Sequence, residues 1–330
     1  MKVGVLGATG AVGRQMLTCM EEHGIVAEEL RLFASRRSQG KPLSCMGRTW
    51  EVEVPDARRF EGLDVVFGAV GADLSRTYVP AIQAAGALYI DNSSAFRMDP
   101  EIPLVVPQIN GRDVLNAKKG IIANPNCSTI ITLMAVAPLH RISPLRAIIA
   151  STYQAVSGAG NKGIEELEME QKALHEGKEF TASVFPAQIA NNCIPWIGSA
   201  KESGYTSEEL KMRNEGRKIL HDPELKVTCT CVRVPVFRSH SISVSVQCNR
   251  PVSLEEAGEA IAHFPGDVLF DEGWPTPLMT SGQDQVYVGR LRPDPVLEGG
   301  IALWCCGDQI RKGAAANAVE ILDYILVNRV

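Results

Sequence analysis

"MKVGVLGATGAVGRQMLTCMEEHG", residues 1–24, decides how the first part of the chain folds. Its first six residues are an apolar run of strand length. Gly7, Gly10 and Gly13 follow in G-x-x-G-x-x-G spacing, and "RQMLTCMEEHG" then reads as a helix closed by Gly24. Strand, glycine turn and helix in that order make a phosphate cradle. The glycines permit a tight turn and close backbone approach, and the helix start offers unpaired N–H groups to an anion. Three glycines alone would equally suit a turn that binds nothing; their place between strand and helix favours the cradle.

Outward from this stretch, strands fit "LRLFAS", "DVVFGAV" (64–70), "ALYIDNSS" (87–94) and "GIIAN" (120–124), with helical stretches such as "LSRTYVPAIQAAG" between them. Alternation of strand and helix predicts a parallel sheet covered on both faces. Beyond residue 127 the pattern changes. "LRAIIASTYQAVSGAGNKG" is a strand running into a small-residue loop, and "IEELEMEQKALHEG" is an amphipathic helix. "SEELKMRNEGRKIL" is another, with Ser207 as its expected N-cap. Residues 226–248, "KVTCTCVRVPVFRSHSISVSVQC", alternate with period two and read as antiparallel strands broken at Pro235. Strands also fit "QVYVGRL" and "GIALWCC", and "KGAAANAVEILDYILVN" is a closing amphipathic helix. The expected fold class is α/β: a doubly wound, Rossmann-like nucleotide-binding domain over 1–128 and an α+β domain over 129–310. The helix of 311–330 is expected to pack back on the first.

With 330 residues, 45% hydrophobic and 22% charged, the composition is that of a globular protein. A net charge of -5 argues against nucleic-acid and membrane-surface partners, and no apolar run reaches the ~18 residues of a membrane span. Met1-Lys2-Val3 runs straight into a strand, so no signal peptide is expected. Nine cysteines, odd in number and scattered, do not form a disulfide framework. Cys229-Thr-Cys231 has no histidine pair near it, so zinc is not expected. Most thiols read as reduced core residues of a cytoplasmic protein.

An NAD site usually carries an acid ~20 residues beyond the glycines, at the end of the second strand, to hold the ribose 2′-hydroxyl. Here that place reads "ASRRSQGK": Ser35, Arg36, Arg37, Ser38 and Lys41, without an acid. Hydroxyls and guanidinium groups suit a 2′-phosphate, which points to NADP; a solvated basic loop is the plainer alternative.

Cys127 lies in "IIANPNCSTIITLMAV" (121–136), where a strand ends and a buried-looking helix begins. Ligands of open α/β sheets bind at strand carboxyl ends, and a helix start stabilises a thiolate. Asn126 offers a further donor. A thiolate facing a nicotinamide interconverts aldehyde and thioester; a packed core cysteine is the alternative.

"NPNCST", "STYQAVSGAG", "GATGAVG", "SSAFRMD", "EELKM", "RSH" and "DQIRKGAAANAV" stand in an order that resembles the aspartate-semialdehyde dehydrogenase family over nearly the whole chain. The resemblance implies Cys127 as nucleophile, Gln154 orienting the carbonyl and His240 as acid/base. It implies Arg233 on the substrate carboxylate, Glu208 on the amino group, and Arg97, Asn126 and Lys211 on phosphate. Whether Glu208 or Glu209 points inward stays open. Cofactor contacts are implied at Gly7, Thr9, Gly10, Ala11, Val12 and Gly13, at Ser35, Arg36 and Ser38, and at Ser157, Gly158 and Gln309. The implied reaction is NADPH-dependent reductive dephosphorylation of β-aspartyl phosphate, at the branch to lysine, threonine and methionine. The second domain would catalyse and dimerise, in a homodimer or tetramer. Arg233 and His240 stand seven apart, which sends them to opposite faces of an unbroken strand, so a bend at Pro235 is needed to reunite them.

N-acetyl-glutamyl-phosphate reductase shares this logic but usually shows Gly-Cys-Tyr where this chain has Asn-Cys-Ser. A cysteine hydrolase has no use for the glycine cradle, and a silent nucleotide-binding paralogue has none for Cys127, Gln154 and His240. If Arg36 reads the 2′-phosphate, Arg36→Ala raises the KM for NADPH ~10-fold, about 1.4 kcal/mol, and leaves NADH little changed. Steady-state kinetics with both cofactors checks this; equal losses would remove the arginine from cofactor choice.

Overall fold

In the computed structural model, which describes residues 1–328, β1 (Lys2–Leu6) passes into α1 (Ala11–Glu22) through a turn closed to side chains. Gly7 has φ +89°, and a Cβ on it would fall 2.3 Å from the Ala69 carbonyl oxygen. One on Gly13 would fall 2.2 Å from the Gly7 oxygen, so the first turn of α1 rests directly on the loop. The chain continues through β2 (Glu29–Phe33), β3 (Pro42–Cys45), β4 (Arg48–Glu53), β5 (Val65–Gly68), α2 (Ala72–Ala84), β6 (Leu88–Asp91), α3 (Pro107–Asn110) and β7 (Ile121–Ala123). These strands form one sheet in the order β3-β4-β2-β1-β5-β6-β7. Every pairing is parallel except β3 with β4, a short edge hairpin. The order reverses beside β1, which puts the glycine turn at the switch point of the sheet. The doubly wound class expected from the sequence is the one observed.

The chain divides into two compact units, Met1–Asn126 with the segment that begins at Ala314, and Cys127–Gly313. The second unit opens with α4 (Cys127–Ile142), in which every residue from Ser128 to Leu139 is buried. A helix apolar all round belongs inside a core. After it come β8 (Leu145–Gln154), α5 (Asn161–His175), α6 (Ser207–Ile219), β9 (Lys226–Arg233), β10 (His240–Cys248), α7 (Leu254–Ala262), β11 (Asp267–Phe270), α8 (Pro277–Thr280), β12 (Val286–Asp294) and β13 (Gly300–Gly307). The sheet order is β11-β12-β13-β10-β8-β9.

Two expectations change here. β9 and β10 are strands, but they do not pair with each other: β8 lies between them, parallel to β9 and antiparallel to β10. A two-residue period reports which face is buried and is silent about which strand is the neighbour. The N-cap of α6 is Thr206, not Ser207, because Thr206 and Glu209 exchange hydrogen bonds in a capping box.

A π-helical turn, Arg311–Ala315, leads into α9 (Ala316–Asn328). Ala316, Ala318, Val319, Ile321 and Leu322 join the core cluster of Val3, Val5, Met16 and Met20 in the first unit. His23 Nδ1 lies 2.6 Å from Asp323 Oδ2 in the same unit. Positions 329–330 of the helix expected at 311–330 lie outside the described residues. Among the described residues no helix is long and apolar enough to cross a membrane, and no His, Cys, Asp or Glu group could hold a metal ion.

The turn at Gly13 sets a steric test. A methyl there meets backbone rather than a yielding side chain, so Gly13→Ala should cost ~1–3 kcal/mol of stability. Denaturant unfolding reads this as a lower midpoint, and nucleotide affinity should fall with it.

Candidate active site

Three strand ends deliver the polar groups of the second unit to one rim. β8 ends at Gln154, whose parallel partner on β9 is Arg233, the last residue of that strand. On the other side of β8, Ser241 of β10 opposes Tyr153, and His240 is the first residue of β10. The connection 234–239 crosses the end of β8: Val234 N–H donates to the Gln154 carbonyl at 3.1 Å, and Val156 N–H to Val236 at 2.8 Å. The seven-residue spacing of Arg233 and His240 is therefore a crossing between strands, not a bend within one.

Cys127, partly exposed, is the first residue of α4, and its Sγ lies 3.4 Å from His240 Nε2. Gly313 leaves it room, since a Cβ there would fall 2.8 Å from the Cβ of Cys127. His240 is fully buried, and Ala155 N–H donates to its Nδ1 at 3.1 Å. A ring nitrogen that accepts a hydrogen bond carries no proton, so the proton of the neutral ring is assigned to Nε2, facing the sulfur. Burial, then the charge of Arg233, pushes the His240 pKa down to about 3, with Glu208 acting the other way. At neutral pH the imidazole is thus an uncharged donor to Cys127. That donor, the positive end of the α4 dipole and the cationic Arg233, whose charge is felt at Cys127, together favour a thiolate. Two buried thiols are held protonated: burial drives Cys45 up to about 11 and Cys305 well above the usual range.

Of the two adjacent acids on α6, Glu209 is spent on structure. Its Oε2 accepts from Thr206 N–H at 2.7 Å and its Oε1 from Cys231 N–H at 3.1 Å. Glu208 faces Gln154 instead, accepting from Gln154 Nε2 at 3.4 Å and from Lys211 Nζ at 2.8 Å. Thr152 Oγ1 donates to Gln154 Oε1 at 2.9 Å and fixes which way the amide points. Arg233 is buried; Nη1 donates to the Ala155 carbonyl and its guanidinium carbon sits 5.8 Å from the centre of the Phe185 ring. Burial lowers its pKa, with Cys127, Glu208 and Cys231 opposing. A Cβ on Gly158 would stand 2.7 Å from Nη1, so that glycine admits the guanidinium. Gln309 donates through Nε2 to Ser157 Oγ and accepts the Ser239 amide at 2.7 Å.

The structure therefore groups Cys127, Gln154, Glu208, Lys211, Arg233 and His240 in the second unit, with Ser157, Gly158 and Gln309 in it as well. Arg97 and Asn126, both buried, belong to the first unit. Arg97 donates from Nε to the Asn124 carbonyl at 2.9 Å and from Nη2 to the Asn92 carbonyl at 2.8 Å.

The first unit also holds the glycine turn. Gly10 is the N-cap of α1 without a capping side chain, no acid stands in the first turn, and Thr9, Ala11 and Val12 are half-buried around it. An uncapped helix start beside a backbone that no Cβ could enter suits a pyrophosphate. Ser35 and Arg36 are exposed at the end of β2, with Ser38 half-buried beside them. Ala155, Thr152 and Gly313 were not singled out by sequence. The first acts through its amide, which no side-chain pattern reveals, and Gly313 lies in a stretch read only as a cofactor contact.

Residues 2–117 match the family described as semialdehyde dehydrogenase, NAD binding domain, and 136–312 the semialdehyde dehydrogenase dimerisation domain. The aspartate-semialdehyde dehydrogenase of Aquifex aeolicus is 46% identical over 98% of both chains. That of Bacillus subtilis is 40% identical, over 98% of this chain and 96% of its own. The crystal structure of aspartate semialdehyde dehydrogenase II from Vibrio cholerae, complexed with ASA, superposes with a TM-score of 0.97 at 40% identity. It covers 100% of this chain and 99% of its own.

The buried imidazole makes stability depend on pH. The unfolded chain's histidine binds a proton below ~6.5, whereas folded His240 binds one only near 3. Stability is therefore full above the unfolded value and is withdrawn as pH falls between the two. Denaturant unfolding at about pH 7 and about pH 5 should show a larger loss for the wild type than for His240→Asn, which has no proton to gain. Equal losses would mean that the ring is charged in the folded state.

Proposed function

Because the chain belongs to the aspartate-semialdehyde dehydrogenase family, we propose that it converts β-aspartyl phosphate to aspartate semialdehyde through a thioester on Cys127, with NADPH as reductant. The observation that carries this is Cys127 Sγ at 3.4 Å from a His240 whose Nε2 bears the proton. The sulfur attacks the acyl phosphate carbonyl; the S–C bond forms, the C–O bond to phosphate breaks, and phosphate leaves. NADPH, when bound, supplies the hydride that takes the thioester carbon to aldehyde level. The aldehyde then parts from sulfur, and Nε2–H donates to the sulfur as its charge returns.

Gln154, fixed by Thr152, orients the reacting carbonyl. Glu208 receives the substrate ammonium and Arg233 its carboxylate. In the present arrangement Lys211 neutralises Glu208; an arriving ammonium takes over that duty and leaves Lys211 for phosphate, which Arg97 and Asn126 also serve. An N-acetylated substrate has no ammonium and would strand Glu208 without that partner, which disfavours the N-acetyl-glutamyl-phosphate reaction.

In this reading Met1–Asn126 with α9 binds NADP, through the glycine turn and through Ser35, Arg36 and Ser38. The second unit catalyses and forms the subunit interface, in keeping with its match to a dimerisation domain. A homodimer or tetramer in the cytoplasm fits a biosynthetic enzyme on the route to lysine, threonine and methionine.

The test is phosphate-dependent reduction of NADP+ with aspartate semialdehyde against N-acetylglutamate semialdehyde. Only the first should turn over, and comparable rates would overturn the substrate assignment. Cys127→Ala should abolish turnover while NADPH binding, followed by fluorescence, stays near wild type. Lys211→Ala should raise the KM for phosphate more than that for the semialdehyde.

A further inference from the structure

α5 buries two carboxylates that the reaction does not use. Glu166 and Glu170 are four residues apart on one face of the helix, and they are 1% and 0% exposed. Like charges at that spacing repel, and buried carboxylates without donors are costly. Here the donors come from a segment that has no helix or strand. Glu166 Oε2 accepts from Ser183 N–H at 2.9 Å, Ser183 Oγ at 2.7 Å and Val184 N–H at 2.7 Å, and its Oε1 accepts from Phe185 N–H at 3.0 Å. Glu170 Oε2 accepts from Ile189 N–H at 2.8 Å and Ala190 N–H at 2.6 Å. Burial works against the charged form of Glu166, yet the Ser183 hydroxyl and the three amides outweigh it and hold its carboxyl below the ordinary range.

The segment so anchored ends against one functional side chain. Phe185 presents its ring to the Arg233 guanidinium at 5.8 Å. Nine residues on, Ile194 pairs with the Arg233 backbone in both directions, at 2.9 and 2.8 Å. Phe185, Ile189, Ala190 and Ile194 share a small core with Val156 and Leu167, separate from the core of the first unit. A segment of irregular backbone owes its shape to whatever satisfies its amides. Two buried carboxylates do so here.

We infer that Glu166 and Glu170 are positioning residues for the substrate carboxylate: by fixing segment 183–194 they hold Phe185 and Ile194 against Arg233 and set the direction of its fork. This rests on the assignment of Arg233 to that carboxylate. A planar guanidinium binds a carboxylate through two parallel bonds only when its orientation is held, and loosening it weakens binding of the semialdehyde without touching the chemistry at Cys127.

The experiment uses the full chain and phosphate-dependent NADP+ reduction. Glu166→Gln should raise the KM for aspartate semialdehyde ~10-fold while kcat and the KM values for phosphate and NADP+ stay within ~2-fold. Ser183→Ala removes one donor and leaves the carboxylates in place; it should give the same selective change at ~3-fold, and it carries the test if Glu166→Gln does not fold. Added to Arg233→Lys, either change should have no further effect beyond ~2-fold, because both act through the same fork. A merely structural role would instead lower kcat and raise the KM values for phosphate and NADP+ as well, or add fully to Arg233→Lys, and would overturn the inference. Arg233→Lys alone separates the two readings. If it leaves the semialdehyde KM unchanged, the assignment of Arg233 fails and the inference with it. If it raises that KM while Glu166→Gln and Ser183→Ala do not, only the positioning role fails.

Discussion

One backbone amide controls where the proton of the site lies. Ala155 N–H occupies Nδ1 of His240, so the only proton of the neutral ring sits on Nε2 and points at Cys127. The other tautomer would turn a lone pair toward the sulfur and remove its donor. Holding that amide in place requires the end of β8, which in turn requires β9 and β10 to flank it on opposite sides. The connection 234–239 ties the three ends together through main-chain bonds to Gln154 and Val156. The topology of the sheet is therefore expressed, at its rim, as the protonation state of a single ring.

Charge in the second unit is arranged by the same economy. Arg233 and Lys211 are cations and Glu208 an anion, and Glu208 already has both Gln154 and Lys211 on it. With the Cys127 thiolate, the two anions balance the two cations. Burial makes each of these groups sensitive to its neighbours, because little water remains to screen them. Arg233 is central: its charge bears on His240, and its orientation is shared among Ala155, Phe185 and the backbone of Ile194.

What could be read from the sequence was local. Gly7 and Gly13 announce themselves because a tight turn before a helix has few chemical solutions, and Cys127 because a strand ends and a helix begins at its position. The capping of α6 was also readable. Thr206 has Glu209 three residues on, whereas Ser207 has Leu210 there, so only Thr206 completes a capping box; the same bond removes Glu209 from contention and leaves Glu208. Strand pairing was not readable, since β9 and β10 alternate alike whether or not they are neighbours. Nor was the state of His240, which depends on an amide eighty-five positions away in sequence. The edge hairpin of β3 and β4 is too short and too polar to stand out from a loop.

The return of α9 to the first unit has a consequence for the order in which a ribosome must make this protein. Translation releases β1 and α1 before the second unit, with Val3, Val5, Met16 and Met20 turned toward a core that still lacks one wall. That wall, Ala316 to Leu322, emerges only after the whole of Cys127–Gly313 has been synthesised. The second unit is continuous and can close as soon as it is complete, so the unit begun before it is sealed after it. Apolar surface from the first helix is thus on view through most of synthesis, which is where a nascent-chain chaperone would find it.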